Sequence, residues 1–259
     1  MVPDLIDTHA HLDDEKFQSD LPAVLERSVS AEVTRVVTIA TTATSSATCV
    51  ALAQQHSMLA ATVGLQPNHV AEAAVDAWDQ VVSLVTHPKV VAVGETGLDR
   101  HWHYTPFAQQ EDYFARHLAL ARKHNLAVVI HCREAEADVV RMLKADYERH
   151  GPVRGVMHSF TGDLATAQAC LDMGLFISFA GMVTYKNAQN LRDVVARIPL
   201  ERMLVETDSP YLAPVPVRRK RNEPGHVVHT AACLAQVLGI ECATLARQTT
   251  LNARKLFNL

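Results

Sequence analysis

Directly after the apolar pair Leu5-Ile6, the chain carries Asp7-Thr8-His9-Ala10-His11. A strand sends residues i and i+2 to the same side, so His9 and His11 can offer two imidazoles to one cation. A lone H-x-H motif is equally two polar residues at a strand end, and only further ligands raise it above that. Glu95 follows the run 90–94, His131 the run 127–130, His158 the pair Val156-Met157, and Asp208 the run 203–207. Imidazole with carboxylate suits divalent zinc, manganese, iron or cobalt, whereas carboxylate with water suits magnesium, so ligand type leaves Mg, Mn and Zn all open. A catalytic ion of this kind keeps about three protein ligands and an open position. The surplus here predicts two divalent metal cations sharing a carboxylate, with Glu95 as the natural bridge.

Residues scattered from position 9 to position 208 converge only if the elements that carry them end at one face. Short apolar runs recur at 5–6, 33–39, 60–63, 90–93, 127–130, 156–157, 175–179 and 203–205. They lack polar alternation, as strands buried on both faces do. Between them the spacing turns helical: Leu191, Val194, Val195 and Ile198 fall at i, i+3, i+4 and i+7, and Phe114, Leu118 and Ala121 repeat the pattern. Asp163 is placed to cap a helix, and Gly151, Gly174 and Gly239 stand where helical patterns stop. Alternating strands and helices over 259 residues predict an α/β fold, a (β/α)8 TIM-type barrel forming one domain over 1–259. A doubly wound open sheet is the alternative. In a parallel barrel all carboxyl ends open on one face, which is where the six candidate ligands would meet.

Composition narrows the partners. A net charge of −4 excludes a protein that coats duplex nucleic acid with a basic surface, so any polyanion contact must be local. The segment 214–224 is rich in proline and holds Arg218-Arg219-Lys220-Arg221-Asn222, and Arg133 lies just beyond a candidate ligand. Arg133, Arg218, Arg221 and Asn222 are therefore candidate substrate contacts, since guanidinium pairs with phosphate bidentately; the plainer reading is a solvated basic loop. Cys132 reads as a core thiol, His69, His101 and His103 as loop residues, and His226 and His229 as surface residues. The five cysteines form no C-x-x-C pair. No apolar stretch is long enough to cross a bilayer and no basic-then-apolar leader opens the chain, which predicts a cytoplasmic protein without membrane contact or obligate protein partner.

With these residues in view, the chain resembles the TatD-type deoxyribonucleases, a branch of the metal-dependent amidohydrolase-like barrels. The resemblance runs through Ile6-Asp7-Thr8-His9-Ala10-His11-Leu12, Val93-Gly94-Glu95-Thr96-Gly97-Leu98-Asp99, His131-Cys132-Arg133-Glu134-Ala135 and His158-Ser159-Phe160-Thr161-Gly162. Its most specific stretch is the segment 204–214, followed by Arg221-Asn222-Glu223-Pro224. The resemblance implies that His9, His11, Glu95 and Asp208 hold one metal and that Glu95, His131 and His158 hold the second. It also implies a nuclease acting on single-stranded DNA or DNA ends from the 3′ side. Gly64-Leu65-Gln66-Pro67-Asn68, Arg219 and His226 depart from the family pattern, which bears on substrate preference and not on the six ligands.

Two-metal phosphodiester hydrolysis follows as the expected chemistry, with Glu95 and Asp208 in catalytic roles and Asp208 orienting the attacking water or taking its proton. The alternative is an amidohydrolase-like enzyme cleaving a small amide, ester or lactone, because a fold does not dictate its chemistry.

Overall fold

Strand formation tracks the buried β-branched runs, but polar residues carry several strands further than the runs themselves. In the computed structural model, which describes residues 4–259, β1 spans Leu5–Ala10, β2 Val33–Thr38, β3 Leu59–Val63 and β4 Val90–Asp99. Strands β5 Ala127–Arg133, β6 Gly155–Met157, β7 Phe176–Phe179 and β8 Met203–Val205 complete one parallel sheet in the order β1-β2-β3-β4-β5-β6-β7-β8. Between the strands lie α1 Leu21–Ser30, α2 Ala43–Gln55, α3 Ala77–Leu84, α4 Phe107–His124, α5 Glu136–His150, α6 Leu164–Asp172 and α7 Gln189–Val195. Two helices, α8 Val227–Leu238 and α9 Cys242–Phe257, follow β8. This is the (β/α)8 barrel and not the open sheet, because the two edge strands meet: Ala10 bridges Ser209 in parallel sense.

Two layers of apolar side chains follow from strand alternation. Ile6, Val37, Ile39, Ala92, Val129, Val156 and Leu204 pack together inside the barrel, with Leu256 and Phe257 of α9 closing its lower end. Their neighbours Leu5, Val36, Val128 and Met157 face the helices. Each fully buried Val, Leu or Ile contributes about 1.5–3 kcal/mol, so both layers are needed to hold the strands in register. Arg154 fixes α9 from below by donating to the Leu256 carbonyl at 2.9 and 2.6 Å. Among the described residues no single helix is long and apolar enough to cross a membrane.

The helix signals behave as their chemistry requires, with one shortening. Asp163 caps α6, accepting from Thr166 N at 2.8 Å, and Gly239 ends α8 in the left-handed conformation. The helix expected through Ile198 stops at Val195; Ile198 is still buried, from the turn that follows.

One core histidine gives the fold a pH dependence. His117 on α4 is fully buried, donates from Nδ1 to the Tyr113 carbonyl at 2.6 Å and accepts the Leu65 N–H at Nε2 at 3.0 Å. Burial pushes its pKa down from 6.5 to about 4. The unfolded chain therefore takes up a proton below about pH 6.5 that the folded protein refuses until about pH 4. Stability from this group is complete above pH 6.5 and is lost as pH falls to 4, a contribution of about 3 kcal/mol. Urea unfolding at pH 8, 6 and 5 measures it: His117→Gln should flatten the acid side of the profile, and parallel profiles for parent and variant would refute the assignment.

Candidate metal centre

The carboxyl ends of β1, β4, β5, β6 and β8 bring His9, His11, Glu95, His131, His158 and Asp208 into one cluster. His9 and His11 Nε2 lie 3.2 Å apart. Asp208 Oδ1 stands 3.5 Å from the first and 3.3 Å from the second. Glu95 is shared between the two halves of the cluster. Its Oε2 faces His9 and His11 at 3.6 and 3.7 Å, while its Oε1 faces His131 Nδ1 at 2.9 Å and His158 Nε2 at 3.3 Å. Two groups, His9–His11–Asp208 and Glu95–His131–His158, each gather their donor atoms within 4.8 Å, and a third, His9–His158–Glu206, overlaps both.

This donor set fits divalent cations. His11 donates from Nδ1 to the Ile39 carbonyl at 3.2 Å, which leaves the Nε2 lone pair pointing at His9 and Asp208. Such a second hydrogen bond on the far nitrogen is how ligating imidazoles are oriented. His131 and His158 have carboxylates behind them as well: Asp99 Oδ2 at 3.0 Å from His131 Nε2, and Glu206 Oε1 at 3.3 Å from His158 Nδ1. His9 Nδ1 is buried with no hydrogen-bond partner, and its ring stacks on His158 with centroids 4.0 Å apart. Lone pairs crowded at these distances repel unless a proton or a cation lies between them.

Ionisation in the cluster is correspondingly displaced. Burial opposes the charge on Glu95, but His158 and the hydrogen bonds from His131, His158 and His9 outweigh it and hold the carboxyl well below its usual range. Burial likewise opposes charge on His11, yet Asp208 and Glu95 push it up to about 9, and Glu95 and Glu206 raise His158 well above its ordinary value. His9 goes the other way, lowered by burial and by the neighbouring His158 charge. A cation entering the cluster displaces protons from His11 and His158, so its affinity falls as pH falls.

The sequence explains the local shape. Asp208 lies just past β8 with φ +57°, and its N–H donates to the His9 carbonyl at 2.8 Å. Asp7, fully buried, accepts from Thr207 N at 2.9 Å, Thr207 Oγ1 at 2.5 Å and His9 N at 3.2 Å. Sequence reasoning passed over Asp7, Asp99 and Glu206, although each stands within the motifs that carry the candidate ligands. The available signal was acidic side chains at strand ends two to four positions from a candidate ligand, Asp7 before His9, Asp99 after Glu95 and Glu206 before Asp208, the kind of partner that ligating imidazoles require.

The four candidate substrate contacts separate. Arg133, at the end of β5, is exposed with its guanidinium 5.7 Å from the Trp102 ring centre, and Arg218 is exposed over Tyr185 at 4.0 Å. Arg221 is committed inside the protein, paired with Asp20 at 2.7 and 2.8 Å and with Glu223 at 2.8 Å. Asn222 is fully buried and donates to the Thr207 and Tyr211 carbonyls at 2.9 and 2.7 Å, clamping the loop that bears Asp208. His226, expected at the surface, is half-buried instead, its Nδ1 3.1 Å from Asn222 Oδ1. Gln66 and Asn68 join the frame, since Asn68 Nδ2 donates to Asp99 Oδ2 at 2.9 Å. Cys132 packs half-buried against the core, and burial pushes its thiol up to about 12.

Comparison with known proteins agrees with this architecture. The family model described as TatD related DNase matches residues 6–258. The chain is 38% identical over 255 residues to the uncharacterized metal-dependent hydrolase YabD of Bacillus subtilis, covering 98% of this chain and 99% of that protein. It is 34% identical over 261 residues to the protein named 3'-5' ssDNA/RNA exonuclease TatD of Erwinia tasmaniensis, covering 98% and 100%. Among solved structures, the TatD homolog YJJV of Escherichia coli K12 superposes with a TM-score of 0.93 at 31% identity, covering all of both chains. The chain thus belongs to the TatD-related DNase family, and it is a metal-dependent hydrolase of that family.

Proposed function

We propose that the protein is a 3′-to-5′ exonuclease that hydrolyses phosphodiester bonds of single-stranded DNA or of DNA ends with two divalent cations. The observation that carries this reading is the way Glu95 offers one carboxylate oxygen to each of two ligand groups. His9, His11 and Asp208 would hold one cation, His131 and His158 the other, with Glu95 between them. When bound, two such cations lower the pKa of water toward neutrality and stabilise charge on the attacking and leaving oxygens.

The protein's own residues then complete the reaction. Asp208, close to His11 and kept ionised by it against the effect of burial, accepts the proton of the attacking water as the oxygen bonds to phosphorus and the bond to the leaving oxygen breaks. Asp99 and Glu206 hold the imidazoles of His131 and His158 in place, so little reorganisation accompanies the step. Arg133 and Arg218, exposed and cationic, are available to the phosphates that flank the scissile bond.

End-labelled strands test the reading. Protein stripped with a chelator and reloaded with Mg, Mn or Zn is expected to shorten 3′-ended single strands stepwise, and stripped protein to leave them intact. A panel of esters, amides and lactones run in parallel decides the substrate class: cleavage of the panel with no shortening of any strand would overturn the nuclease assignment.

A further inference from the structure

Between β4 and α4 the chain exposes two large aromatic rings beside the site. Trp102 is 42% and Tyr104 60% exposed, and their rings stack with centroids 5.5 Å apart and planes 16° from parallel. Single exposed apolar residues need no explanation, but a stacked pair on a pinned loop does. The pinning is direct. The backbone N–H groups of His101 and Trp102 both donate to Asp99 Oδ1 at 2.9 Å, and the other oxygen of Asp99 meets His131 Nε2 at 3.0 Å. At the far end Thr105 is buried, accepting from Ala71 N at 3.2 Å and giving its carbonyl to Gln110 at 3.1 Å. His101 sets its edge against Trp102, and Arg133, two residues past His131, holds its guanidinium 5.7 Å from the Trp102 ring centre.

We propose that Trp102 and Tyr104 form a nucleobase-stacking platform for the unpaired 3′ region of a single-stranded nucleic acid, with Arg133 meeting the adjoining phosphate. The inference rests on the phosphodiesterase reading above and names the substrate contact that goes with it. Three properties argue for bases as the occupant. Tyr104, the more exposed ring, presents a π-face that accepts any base, and Trp102 stacks behind it. The Arg133 guanidinium lies over the Trp102 ring, which puts a cation within reach of the phosphate that accompanies a stacked base. Their loop is fixed at both ends, so ordering it costs little entropy on binding. Bases inside a duplex already spend both faces on stacking, so such a platform selects unpaired ends, and it makes no contact that distinguishes ribose from deoxyribose.

Kinetics on the metal-loaded protein test the platform. Trp102→Ala/Tyr104→Ala should raise KM for a dT oligomer by roughly tenfold or more while kcat changes little, since stacking on one aromatic ring contributes about 1–3 kcal/mol per base. Removing the bases instead, with abasic residues at the 3′ end, should raise the parent's KM by a similar factor, and the variant should treat both strands alike. Trp78 is the other of the two tryptophans and packs against Tyr113 and His117. In a Trp78→Phe protein Trp102 is therefore the sole indole reporter, and a dT oligomer made uncleavable by phosphorothioate linkages should quench it saturably. A double variant with the parent's KM, or a parent indifferent to abasic ends, overturns the platform while leaving the nuclease reading intact. Saturable quenching in a protein that cleaves no strand supports the platform and removes the nuclease reading; neither quenching nor cleavage removes both.

Discussion

Glu95→Ala is expected to lower kcat/KM at least about a thousandfold and to remove at least half of the bound metal, measured by steady-state assay and by metal analysis of the dialysed protein. The size follows from the position of the carboxylate: one oxygen faces His9 and His11, the other His131 and His158, so a single truncation weakens both ligand groups. Glu95→Gln sharpens the test, because the amide keeps the volume and loses the charge. A bridging role predicts that Gln fails nearly as badly as Ala, whereas a packing role predicts rescue. Either variant retaining activity within about tenfold of the parent, with its metal content intact, rules out the bridge.

Gly97→Ala is expected to cost more than about 4 kcal/mol of folding free energy. Gly97 pairs with His131 across β4 and β5, and a Cβ there would lie 2.0 Å from the His131 carbonyl oxygen at a φ of +134°. No side-chain rotation relieves that contact, because both partners are backbone. Separating the strands would carry Glu95 and Asp99 away from His131, so any folded variant should also be inactive. Gly151 provides the comparison: its φ is +78° and a Cβ would meet nothing within 4 Å, so Gly151→Ala carries conformational strain alone, about 1–3 kcal/mol. Urea midpoints distinguish the two costs, and a smaller shift for Gly97→Ala than for Gly151→Ala would disprove the steric account.

The clustering of the candidate ligands was legible because barrel topology converts strand ends into neighbours, so position along an apolar run carried three-dimensional meaning. Runs such as 127–130 need only local pattern, and they became strands as read. Strand limits were less legible: β4 continues through Thr96, Gly97 and Leu98 to Asp99, so Glu95 lies within a strand and not beyond one. Polar residues extend it because Asp99 and Thr96 find partners in the cluster and in β5, which no local pattern encodes. Arg221 and Asn222 show the converse. A basic loop reads as solvent-facing charge, yet Arg221 is held by Asp20, some 200 positions away, and Asn222 by backbone carbonyls. The partner of a long polar side chain is a property of the folded chain, and composition does not reveal it.

The seam between β8 and β1 has a bearing on synthesis. It is joined by few backbone contacts, and those involve the site itself: His11 N donates to the Ser209 carbonyl at 2.7 Å, Asp208 N to the His9 carbonyl, and Thr207 to Asp7. Closing the barrel and completing the candidate centre are therefore one event, brought about by segments from opposite ends of the sequence. A nascent chain that has emerged as far as β7 carries five of the six proposed ligands and lacks the sixth. It also lacks Asn222, which fixes the loop bearing that sixth ligand. On the proposed function, a ribosome-bound chain would therefore lack a complete candidate centre until β8 and the loop held by Asn222 had been made.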